Sequence, residues 1–190
     1  MTILDALWRW LRGEGATVLD LGALVDGDDG RRCRVAGRVV SRGRERTLLL
    51  EMTAGEGVDA ERRFQGLRLE SVERLLEVMA DVGWRVAGGH GPRPEPGARV
   101  AAALMGLAGM GIVHTWEGVA GGNAVNRGRR LDLHLVRGGE PQRYLLFFSG
   151  RGAGLGLWPA ALADALLERG EVLRRAADVA ASRSSPAELR

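Results

Sequence analysis

The arginines are the residues whose type and spacing carry chemistry in this chain. Residues 31–46 hold seven arginines and one glutamate, a local charge of +6. Residues 127–151 hold six arginines, one aspartate and one glutamate, a local charge of +4. The whole chain carries +3, so everything outside these two stretches sums to −7. All 27 basic residues are arginine. Arginine stays charged at any physiological pH and presents a planar fork of donors suited to phosphate and carboxylate. Two such clusters on a modestly charged body are the electrostatic footprint of a phosphate-backbone binder. The same pattern also suits a solvated strand face that resists edge pairing, or a surface for an acidic protein partner.

Other chemistry is thinly represented. The three histidines, His90, His114 and His134, have no neighbours at metal-ligand spacing. His134 is expected on an exposed strand face, and His114 at the end of an apolar helix, where it would complement the helix dipole. The single Cys33 excludes an intrachain disulfide and a multi-cysteine zinc site, and is expected to be a buried, inert thiol. RGAGLG at 151–156 is glycine-rich but lacks the Gly-Lys-Ser/Thr ending of a phosphate loop. Asp26, Asp28 and Asp29 form an acidic turn without the other ligands of a calcium loop. No Ser, His, Asp or Glu falls in a nucleophile motif. No enzymatic activity and no cofactor or metal are therefore expected.

The elements that must position the arginines are legible as periodicity. Residues 2–12 have apolar positions at helical spacing. Val18–Val25 reads as a strand or a short helix. Residues 32–40, RCRVAGRVV, alternate strictly, with Cys33, Val35, Gly37 and Val39 on one face and Arg32, Arg34, Ala36 and Arg38 on the other. SRGRER is the hairpin loop, TLLLEM (47–52) the return strand and RFQGLRL (63–69) a third strand. Residues 70–82 form a helix with Val72, Leu75, Leu76, Met79 and Val82 inward. Trp84–Ala87 is read as a further strand.

GGHGPRPEPG (88–97) has three prolines and four glycines and is read as a linker. An apolar helix is expected over 98–113, as core, interface or membrane-associated element. The 17 residues from Val100 to Trp116 contain no charge, which is the lower limit for a membrane span, though no span is expected here. GGNAVNRG (121–128) reads as a loop. LDLHLV (131–136) alternates again, with Leu131, Leu133 and Leu135 inward and Asp132 and His134 outward. RYLLFFSG returns. Pro159 suits the first turn of a helix with Leu162, Leu166, Leu167 and Val172 inward.

The order is repetitive. GLRL at 66–69 and GLGL at 154–157 each lead towards a helix, and VVSRGRERTLLLEM (39–52) corresponds to HLVRGGEPQRYLLFFS (134–149). The expected fold is α+β, with two similar halves. Each is a β-hairpin or short sheet followed by a packing helix, and the two are related by a pseudo-twofold axis. The halves are 1–87 and 98–180, with the linker at 88–97 and a flexible tail at 181–190.

The segment RTLLLEM followed by RRFQGLRLESVERLLEVM resembles the core of the PC4-type transcriptional-coactivator fold, through Arg62, Arg63, Gly66, Leu67, Leu69 and Leu75. The resemblance implies paired subunits that bind single-stranded nucleic acid. The family's helix tryptophan has its only counterpart in Trp158, at the head of the second helix. The duplication of sheet and helix is also similar to the PUR repeat. The element order resembles the small secretion-chaperone fold, whose members bind polypeptide segments without catalysis.

The preferred expectation is a non-enzymatic, cytoplasmic nucleic-acid-binding protein that favours single strands, with a homodimer as its assembly. Arg32, Arg34, Arg38, Arg42, Arg44, Arg62 and Arg63 would contact the backbone in the first half. Arg129, Arg130, Arg137, Arg143 and Tyr144 would do so in the second. The alternative is a protein-binding adaptor or chaperone-like module whose arginine face meets an acidic partner.

Overall fold

The computed structural model describes residues 16–28, 32–42, 45–55, 60–89, 110–119, 131–138, 142–150 and 156–182. The expected helix at 2–12, the loop at 121–128, residues 90–97 of the linker and residues 183–190 of the tail lie outside the described residues.

The fold is mixed α+β, built on two four-stranded antiparallel sheets whose strands follow in sequence order. The first comprises β1 (Ala16–Asp28), β2 (Arg32–Arg42), β3 (Glu45–Ala54) and β4 (Glu61–Arg68). A 3₁₀ turn (Leu69–Ser71) leads into α1 (Val72–Val86). The second sheet comprises β5 (Gly111–Trp116), β6 (Leu131–Gly138), β7 (Arg143–Gly150) and β8 (Gly156–Pro159). Two helices follow it, α2 (Ala161–Glu168) and α3 (Gly170–Ser182).

The alternation in β2 has the expected consequence. Val35 and Val39 are fully buried and Arg34 is exposed. Val39 pairs with Leu48, and Leu48 with Leu67, so β2, β3 and β4 build one apolar face. Helix α1 covers it with Val72, Leu75, Leu76, Val78, Met79 and Val82, all buried. Each such side chain contributes about 1.5–3 kcal/mol of burial. The inward faces of both sheets and of α1, α2 and α3 join a single core: Leu133, Leu135, Leu146, Phe148 and Trp158 lie in the same cluster as Leu48, Leu75 and Leu173.

Asp81 of α1 ties the second sheet to that helix. It accepts the indole N–H of Trp116 at 2.7 Å and lies 3.8 Å from His114 and 3.7 Å from Arg85. Arg46 of β3 donates to the backbone carbonyl of Ala176 in α3 at 2.6 Å, so one arginine of the first cluster is used in packing.

Several expectations are corrected. Val18–Val25 belongs to a strand, β1, whose three register shifts against β2 bend it. One bulge carries Gly22 at φ +66°, a left-handed conformation that favours glycine, with its N–H bonded to the Asp20 carboxylate. Trp84–Val86 continue α1 instead of forming a strand. The apolar helix expected over 98–113 is contradicted at its end, because residues 111–116 form β5; residues 98–109 lie outside the described residues. The β-branched Ile112, Val113 and Thr115 find a partner strand in β6, and tertiary pairing overrides the apolar run.

Pro159 ends the short strand β8, paired with β7 alone, where a missing N–H costs least. Trp158 is in that strand, 1% exposed and edge-on to Phe148, and does not head a helix. Leu167 and Val172 are 43% and 40% exposed, not inward, because the helix breaks at Arg169–Gly170 and the phase changes between α2 and α3.

Asp81→Ala is expected to lower stability by about 1–3 kcal/mol, since it leaves the Trp116 indole N–H without its acceptor. Urea unfolding should show a reduced midpoint at unchanged slope.

Candidate functional site

The strand register decides how the arginines are presented. On the outer face of the first sheet, β2 carries Arg34 and Arg38. Directly opposite on β1 stand Asp26 and Asp20, respectively. The register also sets Asp28 against Arg32. Paired residues project to the same side, with Cβ atoms about 5 Å apart, so Arg34 attracts Asp26 and Arg38 attracts Asp20. On the far side of β2, Arg34 faces Thr53 and Ala36 faces Glu51; β3 in turn sets Thr53 against Arg62 and Glu51 against Phe64.

Arg68, at the end of the same face, reaches Glu70 at 2.9 Å and Glu45 at 3.4 Å. Along the described part of this face, Arg34, Arg38, Arg62 and Arg68 stand against Asp20, Asp26, Glu45 and Glu51. Four positive and four negative side chains balance on the described face, although the linear stretch 31–46 carries +6. The sheet interleaves the arginines with carboxylates that are remote in sequence.

The second sheet scatters its arginines. Arg137 is opposite Tyr144, and Arg143 is opposite Gly138, so the two arginines project to opposite faces. Tyr144 is half-buried against the main core. Phe147 and Phe148 are both buried, on opposite faces, and Phe64 is half-buried beside Glu51. Arg44, Arg129 and Arg130 lie outside the described residues, and Arg32 and Arg42 are described in backbone only.

Two of the expected residues do come together, one from each half. Arg63 of β4 and Arg143 of β7 line a half-open cavity of about 120 Å³ where the two sheets meet. Cys33, Met52 and Ala54 of the first sheet form one wall, and Leu145, Leu157 and Pro159 of the second form the other. Glu61 completes the lining and binds Arg63, with 2.8 Å to Nε and 2.7 Å to the terminal nitrogen. Cys33 is half-buried, packed against the main core while lining this cavity. Nothing in the linear sequence signals Cys33, Glu61 or Leu157, because the cavity exists only where two sheets distant in sequence meet.

His134 is the clearest correction. It was expected outward, yet it is 2% exposed. Its Nδ1 lies 2.9 Å from the Thr115 hydroxyl and its Nε2 lies 2.8 Å from the Ser149 hydroxyl, one partner on each neighbouring strand. Hydroxyls donate or accept, so both nitrogens of a neutral imidazole are satisfied. On the same face Ile112, Val136, Leu145 and Phe147 form a second apolar cluster, which makes that side of the sheet drier than its alternation suggests. A hydroxyl on an imidazole has the outline of a nucleophile and base. Here the imidazole is sealed, and its other partner is a hydroxyl instead of the carboxylate that would steady an imidazolium. Among the described residues no three His, Cys, Asp or Glu side chains are grouped as metal ligands, and no helix is long and apolar enough to cross a membrane.

No protein-family model matches this chain, and no curated protein matches it.

Burial lowers the pKa of His134, against a smaller opposing pull from Asp132. Burial and the Arg85 charge lower that of His114, opposed by Asp81. Above the ordinary value of about 6.5 the imidazoles are neutral in both folded and unfolded chains. As pH falls below it, the unfolded chain takes up protons first, so stability present above about pH 6.5 is lost as pH falls through the folded-state values. His134→Asn should flatten that decline, read from urea midpoints between about pH 7.5 and 5.

Proposed function

We propose that the protein is a non-enzymatic binding protein that docks an acidic polypeptide of mixed charge on the outer face of its first sheet. The observation that supports this most is the register that sets Asp20 and Asp26 against Arg38 and Arg34. A polyphosphate presents uniform negative charge and favours an uninterrupted positive surface. A face of alternating, balanced charge suits a partner whose own charges alternate, and rejects partners of the wrong pattern. The arginines act through charge and donor geometry alone, and no covalent step is required of them.

Nucleic acid is the second reading, preferably single-stranded. What favours it is a different part of the same face: Arg34 and Arg62 flank Thr53, and the half-buried Phe64 lies on the same face of β4 as Arg62. Basic side chains beside an aromatic ring are what single-strand binders use.

The chain is further read as two similar halves about a pseudo-twofold axis. Each sheet is a four-stranded antiparallel meander followed by a helix, and the hairpins at 39–52 and 134–149 are the middle hairpins of their sheets. A homodimer and a cytoplasmic location belong to the same proposal, the latter supported by the lone cysteine.

Fluorescence anisotropy with a labelled Glu-rich peptide and a labelled oligothymidylate, each titrated with salt, tests both readings. The peptide is expected to bind more tightly, and Arg34→Ser with Arg38→Ser to weaken it by about tenfold. Tighter oligothymidylate binding, with a steep salt dependence that the double variant flattens, supports the second reading instead. If the double variant changes neither ligand, this face is not the docking surface.

A further inference from the structure

We infer that β5 is an acid-released edge strand: protonation of His134 and His114 detaches Gly111–Trp116 from the second sheet and from α1 while the rest of the fold stays closed. The inference is independent of the outer-face proposal. Three observations carry it.

The first is where the strand is tied. Among the described residues β5 is an end strand that pairs with β6 alone, and a register shift between Ile112 and His114 interrupts that ladder. Its side-chain ties fall on three consecutive residues, and each runs through a titratable group. His114 lies 3.8 Å from the Asp81 carboxylate, the Thr115 hydroxyl lies 2.9 Å from His134 Nδ1, and the Trp116 indole donates to Asp81 at 2.7 Å. His114 and Trp116 pair with Leu135 and Leu133 of the core face, and Thr115 pairs with His134 of the outer face. Both faces of the strand are therefore held in this way.

The second is the chemistry of the ties. A neutral imidazole has one N–H and one acceptor nitrogen, which a hydroxyl on each side satisfies. An imidazolium has two N–H donors, so Thr115 and Ser149 must both accept from it, around a ring that is 2% exposed. Phe147, on the same face, offers a ring at 6.0 Å and no countercharge. The charge that acts on His134 is that of Asp132, which also accepts the Gly118 N–H at 2.9 Å, and burial outweighs it. His114 faces Asp81 and Arg85 of α1. Asp81 attracts an imidazolium there, but burial first and the Arg85 charge second outweigh that attraction. The His114 Nδ1 is buried without a hydrogen-bond partner among the described residues, and a charged donor left unmet costs more than a neutral nitrogen.

The third is a hinge. Gly118, just beyond β5, has φ +60°, a left-handed conformation that favours glycine. The chain is fastened again at Val119, which is fully buried and donates its N–H to the Leu131 carbonyl at 2.8 Å. Release therefore ends at Gly118. It opens the β6 edge and takes Ile112 out of its cluster with Val136 and Phe147.

Hydrogen exchange of the full chain, corrected for intrinsic rates, would be followed at about pH 7.5 and about pH 5.5 in increasing low urea. The open strand takes up protons around the ordinary value of about 6.5, so each histidine kept neutral in the closed strand lowers protection about tenfold at the lower pH. Protection of residues 112–116 is expected to fall about ten- to a hundredfold between the two conditions. At the lower pH their exchange should stay nearly independent of urea, while that of residues 75–82 in α1 rises with it, since only a global opening exposes much surface.

His114→Asn with His134→Asn keeps polar groups at both positions and removes their titration. In that variant β5 protection should change by less than about twofold between the two pH values, whatever its absolute level. The inference is overturned if wild-type β5 protection does not respond to pH, if β5 and α1 respond to urea in step, or if the double variant keeps the wild-type pH response. Should the double variant fail to fold, the imidazole resonances of the wild type decide: a ring of either histidine that titrates at about pH 6.5 with β5 still protected overturns the inference.

Discussion

The two sheets share one apolar core, and the rest of the structure depends on that. Neither sheet is closed, and each has an inward row of leucine, valine and aromatic side chains that must leave water. Helix α1 covers the first row, and its far side meets α2 and the second sheet. Trp158 and Phe148 therefore lie in the same cluster as Leu75 and Met79. The halves are joined by burial of this kind, reinforced by few polar ties. One of these is the acceptance of the Trp116 indole proton by Asp81. Such a bond contributes little compared with the surface it orients, but leaving the buried donor unmet is costly. It pins β5 against α1 in one alignment.

Joining the sheets in this way determines what they expose. The inward faces are spent on the core, so the arginines must occupy outer faces, edges and the seam. On the outer face of the first sheet they are interleaved with aspartates from β1, which turns a strongly positive sequence into a nearly balanced surface. At the seam the opposite happens. Arg63 and Arg143, 80 positions apart, are brought to one cavity that Glu61 also lines. A field of many charges is dispersed, while two arginines distant in sequence meet at the seam.

The second sheet is wetter in sequence than in space. Its outer side holds the apolar cluster of Ile112, Val136, Leu145 and Phe147, with His134 embedded beside it. The imidazole is tolerated there because Thr115 and Ser149, on the two adjacent strands, meet both ring nitrogens. A buried polar group with both partners supplied by neighbouring strands also resists a change of register, since a one-residue slip would orphan all three.

Much of the local structure was legible from the residues themselves. Period-two alternation placed β2 and β6, and period 3.6 placed the buried side of α1, because each pattern reflects which side of one element leaves water. Both signals are local, and they failed where the outcome was not. The run ending in Gly111–Trp116 is apolar enough for a helix, and only the availability of β6 as a partner makes it a strand. His134 alternates with leucines and reads as exposed, yet the face it joins is covered. The charge clusters could be counted from the chain, but their effect could not, because Asp20 and Asp26 become neighbours of Arg38 and Arg34 only through antiparallel pairing. The sequence alone determined β2, β6, the buried side of α1 and the excess of arginine. Tertiary structure alone decided which carboxylates stand beside which arginines, and that Arg63 and Arg143 share a cavity, because both depend on contacts between segments that the chain keeps far apart.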